Sequence, residues 1–102
     1  MLLPQDAVIA EEKLTQYLLV PLPKDDKSKY LARAGYTLSN WQRLRQDLKS
    51  QVLTQSAEFV EANRYGDKYF IRANLRGPNG VELDVLTVWM VSENTAKFVT
   101  LV

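Results

Sequence analysis

Histidine and cysteine are both absent from this chain of 102 residues, and each absence removes a class of chemistry. Without histidine there is no Ser-His-Asp or Cys-His arrangement, no imidazole base, and no route to most catalytic zinc sites. Without cysteine there is no disulfide framework and no thiolate ligand for zinc or an iron–sulfur cluster. Charge of one sign is also lacking, since the net charge is +1, too little by itself to demand a nucleic-acid partner. No run approaches the roughly 20 apolar residues of a membrane span. Met1-Leu2-Leu3-Pro4-Gln5-Asp6 has no basic segment ahead of an apolar one, so it does not read as a secretory signal. These absences predict a soluble cytoplasmic protein with no membrane partner, no metal and no cofactor. Any enzyme built on this chain must use lysine, arginine, tyrosine, carboxylates or hydroxyls.

What is present suits one hydrophobic core. The composition is 46% hydrophobic and 25% charged, enough to fold without staples, and the length predicts a single α+β domain over residues 1–102. The charge is unevenly spread. Lys24 to Lys49 holds seven bases against three acids, a net +4, and the remainder of the chain is −3. A basic half on an acidic half could steer a polyanion, or could simply be the solvated faces of two helices.

Periodicity divides the chain after Ser56. Ile9 to Leu19 predicts a helix with Ile9, Leu14, Tyr17 and Leu18 near one face and Glu11 and Glu12 in its first turn. Pro21 and Pro23 stop it. Beyond the polar loop Lys24-Asp25-Asp26-Lys27, Asp26 caps a short helix from Ser28 to Ala34, and Gly35 closes it. A third helix, capped by Ser39, runs to about Thr54 on a buried stripe of Trp41, Leu44, Leu48 and Val52. After Ser56 the period becomes two. Glu58 to Asn63 and Lys68 to Arg76 predict strands joined at Arg64-Tyr65-Gly66. Gly77-Pro78-Asn79-Gly80 predicts a tight turn with a glycine bulge, which sets Arg76 opposite Glu82, Asn74 opposite Asp84 and Arg72 opposite Leu86. Glu93-Asn94-Thr95 makes the last turn before a closing strand, Ala96 to Leu101. The expected architecture is three N-terminal helices packed on one face of a four-stranded antiparallel β-meander.

The chemistry that this chain can carry is narrow. Gly77-Pro78-Asn79-Gly80 lies between strands, so it offers no helix N-terminus to a phosphate. Glu82 and Asp84 have strand spacing for an acid–base pair, yet the residues opposite explain both as ladder partners. Asp25-Asp26 lacks the further oxygen ligands of a calcium loop. Metal-free RNA cleavage needs a proton taken from the 2′-hydroxyl, a phosphate clamp and stabilisation of developing charge, and lysine and arginine can supply these. The candidates are Lys13 and Tyr17 on one helix face, Lys27 before the second helix, Arg72 on the sheet, and Thr87 and Thr100 in adjacent strands. Each has a plain alternative. Lys13 and Lys27 suit solvated or cap-adjacent positions, Tyr17 suits the core with its hydroxyl at water, and Arg72 can balance Asp84. Thr87 and Thr100 on an apolar face each need a hydrogen-bond partner. Phe70 with neighbouring arginines is a thin signal for base stacking on a sheet.

The stretch Ile9-Ala10-Glu11-Glu12-Lys13-Leu14-Thr15-Gln16-Tyr17-Leu18-Leu19, then Lys27-Ser28-Lys29-Tyr30-Leu31, then Gly35-Tyr36-Thr37 before Trp41 and Leu44, resembles a bacterial family of unknown function. Tyr65-Gly66-Asp67-Lys68-Tyr69, Leu75-Arg76-Gly77-Pro78-Asn79-Gly80, Thr87-Val88-Trp89 and Phe98-Val99-Thr100 extend the resemblance over nearly the whole chain. Members of that family are small free-standing proteins, often beside another small gene, and related domains end large bacterial toxin proteins. Their layout is similar to the barnase–RelE–colicin group of ribonuclease toxins. The resemblance implies a toxin-like, metal-independent ribonuclease or a derivative of one, with RNA and a small partner or antitoxin protein as partners. It carries Lys13, Tyr17, Lys27, Thr87 and Thr100 as recurring polar positions. The missing histidine leaves the lysine- and arginine-dependent style of RelE, and the near-neutral charge departs from that group's usual basicity. A non-catalytic module that binds a small partner protein through a sheet edge is the alternative from another class.

Overall fold

Alternation of polar and apolar residues builds the second half of the molecule into one sheet. The computed structural model describes residues 1–102. β1 (Glu58–Asn63), β2 (Gly66–Arg76), β3 (Glu82–Ser92) and β4 (Thr95–Leu101) lie side by side in chain order, each antiparallel to the next. Arg76 stands opposite Glu82, Asn74 opposite Asp84 and Arg72 opposite Leu86, the register that the turn chemistry predicts. Gly77 N–H closes the turn on the Val81 carbonyl at 3.0 Å. Ile71, Leu75, Leu83, Val85, Trp89 and Phe98 form the buried face, where the rings of Trp89 and Phe98 meet edge to face at 5.3 Å. Two bulges interrupt the ladders, one at Val60 in β1 and one at Val99 in β4, each leaving an extra residue on the outer strand.

The expected layer of three continuous helices is overturned: the chain before the sheet is helical only in short pieces. The α-helical segments are α1 (Glu11–Lys13), α2 (Ser28–Ala32) and α3 (Trp41–Asp47), of three, five and seven residues. A 3₁₀ turn, Leu38–Asn40, precedes α3, and Thr37 with Asn40, rather than Ser39, closes the capping box at its start. α1 and α3 each widen into a π turn, Leu14–Leu18 and Leu48–Val52, closed by Leu19 N–H to Leu14 O and by Leu53 N–H to Leu48 O. Both π turns read Leu, three residues, an aliphatic residue, then Leu. In a wider turn the positions four and five residues on flank the first, so one face can bury all three apolar side chains. Leu14, Leu18 and Leu19 are buried, as are Leu48, Val52 and Leu53. The same widening rotates Tyr17 off the core, and it is 57% exposed rather than packed. Ile9 is buried but extended, because the helix begins only at Glu11 after an extended Ala10.

The N-terminal segment is part of the core. Leu3, Ala7 and Ile9 are buried, and Val8 lies parallel against β4, giving its N–H to Ala96 O and accepting from Phe98 N–H, both at 2.8 Å. One edge of the sheet is thereby covered where Val8 runs, while β1 leaves the other open with every residue exposed. The β2–β3 turn also holds a helix end. Asn79 gives its backbone N–H to Ala34 O at 3.3 Å and its side-chain amide to Arg33 O at 3.1 Å, satisfying carbonyls left over at the end of α2. The π turn after α3 is tied to the end of β2 by Gln51, whose amide pairs with both backbone groups of Arg76. Beside it the buried Asp47 carboxylate accepts from the Tyr36 hydroxyl at 2.6 Å and from Arg43 Nε at 2.9 Å. No helix is long and apolar enough to cross a membrane.

Candidate functional site

Three separate parts of the chain meet outside β4. The first is the end of α1 with the π turn that follows it, which present Lys13 and Tyr17; the second is the loop Leu22 to Lys27; the third is the end of β4, where the bulge at Val99 turns Val99 and Thr100 toward the opening. Together they line a cleft of about 450 Å³. Pro21 and Pro23 deny the loop an α-helical path, so it loops outward and brings Lys24, Asp25 and Lys27 over the strand. Asp25 sits in the left-handed region with φ 56°, a conformation that an aspartate tolerates better than most side chains.

The cleft is electropositive. Lys13, Lys24 and Lys27 face a single carboxylate there, Asp25, and none of these four groups takes part in an ion pair. Lys13 and Lys27 are half-buried, so their stems lie against protein while their ammonium groups stay available. Asp26, next to Asp25, is already committed. Its carboxylate accepts the Ser28 hydroxyl at 2.6 Å and the Ser28 N–H at 2.8 Å, which holds it below the usual carboxylate range and caps α2. No three acidic side chains come together in a group that could hold a metal ion.

A second depression of about 450 Å³ adjoins the first, and Lys27 lines both. Arg72 and Asp84 are in this one, paired at 2.9 Å with more than half of each side chain in solvent. Tyr30 closes its floor by giving its hydroxyl proton to Asp84 O at 2.6 Å. Such an exposed pair contributes little to stability, about 0–1 kcal/mol, so Arg72 can exchange Asp84 for a phosphate at small cost.

Of the residues singled out by sequence, Lys13, Tyr17, Lys27 and Thr100 therefore share one cleft and Arg72 lies in its extension. Thr87 is elsewhere. It is fully buried on the core face of β3, gives its hydroxyl proton to Ile71 O at 2.9 Å and accepts from Trp89 Nε1 at 2.7 Å, and its burial keeps it out of reach of a ligand. Thr100 points the opposite way across its strand and has only a 3.5 Å contact to Leu101 O. Replacing Thr87 by valine is expected to lower stability by about 1–2 kcal/mol, through the stranded indole N–H, and to leave the cleft unaltered. Urea unfolding and ligand titration of the variant check both halves of that expectation. Lys24 and Asp25 are the charged cleft residues that sequence reasoning missed, since both read as parts of a polar loop, the Asp-Asp pair as a failed calcium loop, and the backbone conformation of Asp25 has no local signature.

The chain matches, over residues 4–102, the family described as domain of unknown function (DUF6883), and it belongs to that family. No curated protein and no solved structure matches it.

Proposed function

We propose that this member of the family is a toxin-like ribonuclease of bacterial type that cleaves RNA without a metal, acting at the cleft outside β4 in the cytoplasm. The observation that carries the reading is the convergence of Lys13, Lys27 and Thr100, from three distant parts of the chain, on one electropositive cleft. RNA cleavage of this kind joins the 2′-oxygen to phosphorus, expels the 5′-oxygen and leaves a 2′,3′-cyclic phosphate. Lys13 and Lys27 clamp the non-bridging oxygens as negative charge grows on them, and either ammonium can protonate the departing 5′-oxygen. The Thr100 hydroxyl orients the phosphate, Tyr17 offers an exposed ring at the mouth for a base, and Arg72 takes the next phosphate along the strand.

The test is incubation of the purified protein with RNA in the presence of a chelator, beside a Lys13→Ala and Lys27→Ala double variant of equal unfolding midpoint. Cleavage to cyclic phosphate ends by the wild type, reduced at least about 100-fold in the variant, is the expected result. Growth arrest on induction of the wild type alone would agree with it. RNA left intact by the folded wild type sinks the reading.

A second reading has its own observation. β1 is open along its whole length, and Phe59 and Val60 are 55% and 38% exposed on it. Such an edge suits strand addition by an extended segment of a small partner or antitoxin protein, of basic character because Glu58 and Glu61 flank the apolar pair. Intact RNA in the assay above would leave this edge as the surface to test.

A further inference from the structure

We propose that Asp25 is the general base of the cleft, the group that takes the proton from the attacking 2′-hydroxyl; the inference rests on the ribonuclease reading given above. With no histidine in the chain, the base must be a carboxylate, a phenolate or a neutral lysine. Asp25 is the one carboxylate that lines the lysine cleft, and it has neither a hydrogen bond nor an ion pair to occupy it. Its neighbour Asp26 is the contrast: two bonds to Ser28 consume that carboxylate and turn it into the cap of α2. The backbone separates the two. Asp25 turns into the left-handed region at φ 56°, which breaks the run of the chain between them. Asp25 thus stands exposed at the cleft lip with an unengaged acceptor, in the same opening as Lys13 and Lys27.

The step balances. The Asp25 carboxylate accepts the 2′-hydroxyl proton as the 2′-oxygen bonds to phosphorus, and the bond from phosphorus to the 5′-oxygen breaks. The 5′-oxygen takes a proton from the Lys13 or Lys27 ammonium. The products are a 2′,3′-cyclic phosphate and a 5′-hydroxyl, after which Asp25 returns its proton to water and the lysine regains one. The groups around Asp25 are Lys13 from the end of α1, Tyr17 from the π turn, Lys24, Asp26 and Lys27 from its own loop, and the uncharged Val99 and Thr100 from β4. Lys13, Lys24 and Lys27 outnumber the one neighbouring acid, Asp26, so the Asp25 carboxylate stands in cationic surroundings.

Asp25→Asn is the informative variant, because asparagine tolerates the left-handed conformation and removes only the basicity. Cleavage is expected to fall about 100- to 10,000-fold. Binding of a non-cleavable RNA carrying a 2′-deoxy sugar at the scissile position should hold or tighten, because a negative charge has left the cleft. The acid limb of the pH–rate profile should vanish with it, and Asp26→Asn should keep both cleavage and that limb. Asp25→Gly, which accepts the same φ freely, guards against a folding artefact and should be as inactive as Asp25→Asn. Wild-type cleavage with Asp25→Asn within about threefold of it and an unchanged pH profile overturns the assignment and leaves the ribonuclease reading standing. Loss of RNA binding together with cleavage in Asp25→Asn would also overturn it, marking Asp25 as a positioning residue. A wild type that does not cleave at all removes the ribonuclease reading, and this inference with it.

Discussion

Gly77→Ala is expected to lower stability by about 3 kcal/mol or more, enough to leave a domain of this size largely unfolded near physiological temperature. The reason is the docking of the β2–β3 turn on α2. A Cβ at position 77 would overlap the Ala34 carbonyl oxygen and sit 2.5 Å from Ala34 Cβ. Neither neighbour is the movable end of a flexible side chain, so the turn itself would have to retreat from the helix. That retreat breaks the bonds of Asn79 to Arg33 and Ala34 and pulls on Arg76, whose carbonyl accepts from Tyr36 and Gln51. Gly80, three residues on in the same turn, supplies the comparison. Its φ is +88° but a Cβ there would meet nothing within 4 Å, so Gly80→Ala carries only the backbone strain, about 1–2 kcal/mol. Equal urea midpoints for the two variants would show that the close approach at Ala34 is not what demands glycine at 77.

Asp47→Ala should have the next largest effect, a loss of about 2–3 kcal/mol. Removing one partner of a fully buried ion pair costs about 3–5 kcal/mol, but Arg43 is 47% exposed and can rehydrate, which discounts the figure. The Tyr36 hydroxyl, buried beneath α3, would lose its 2.6 Å acceptor and keep only the Arg76 carbonyl at 3.1 Å. Burial first, and the adjacent carboxylate second, push that phenol far above its ordinary value of 10.0. In the unfolded chain Tyr36 ionises near pH 10, whereas in the folded protein it keeps its proton. Above pH 10 the unfolded state therefore binds fewer protons, and stability falls by about 1.4 kcal/mol for each further pH unit. Below pH 10 the contribution is fully present. Tyr36→Phe should lower stability by an amount constant from pH 6 to about 10, and the gap to the wild type should narrow as pH rises beyond that. Guanidinium unfolding at pH 7, 9, 10.5 and 11.5 checks the sign, and a gap that widens at alkaline pH would refute it.

The β half was legible from residues near one another in sequence. A two-residue period, a turn whose proline and asparagine set its type, and opposite charges that pair only in one register are all local facts, and the strands follow them. The helical half was less legible because its apolar spacing fits two geometries. Leu14-Thr15-Gln16-Tyr17-Leu18-Leu19 and Leu48-Lys49-Ser50-Gln51-Val52-Leu53 support an α-helical stripe almost as well as a π turn. Packing against the sheet chose the wider one, which buries one more apolar side chain on the same face. That choice moved Tyr17 from the expected core to the mouth of the cleft.

The sequence by itself determined which chemistry is closed to this protein, where the strands run and how β2 meets β3, because composition is absolute and turn geometry is short-range. Tertiary structure alone decided which polar residues meet in one cleft. Lys13, Asp25 and Thr100 belong to a helix end, a loop and a bulged strand, and only the packing of those three elements brings them to one cleft. The same packing withdrew Thr87 into the core, where Ile71 and Trp89 satisfy its hydroxyl, although one sequence pattern had made it a partner of Thr100. A polar side chain is assigned to a cleft or to the core by which face of its strand it occupies, and a single bulge at Val99 sets that for the end of β4.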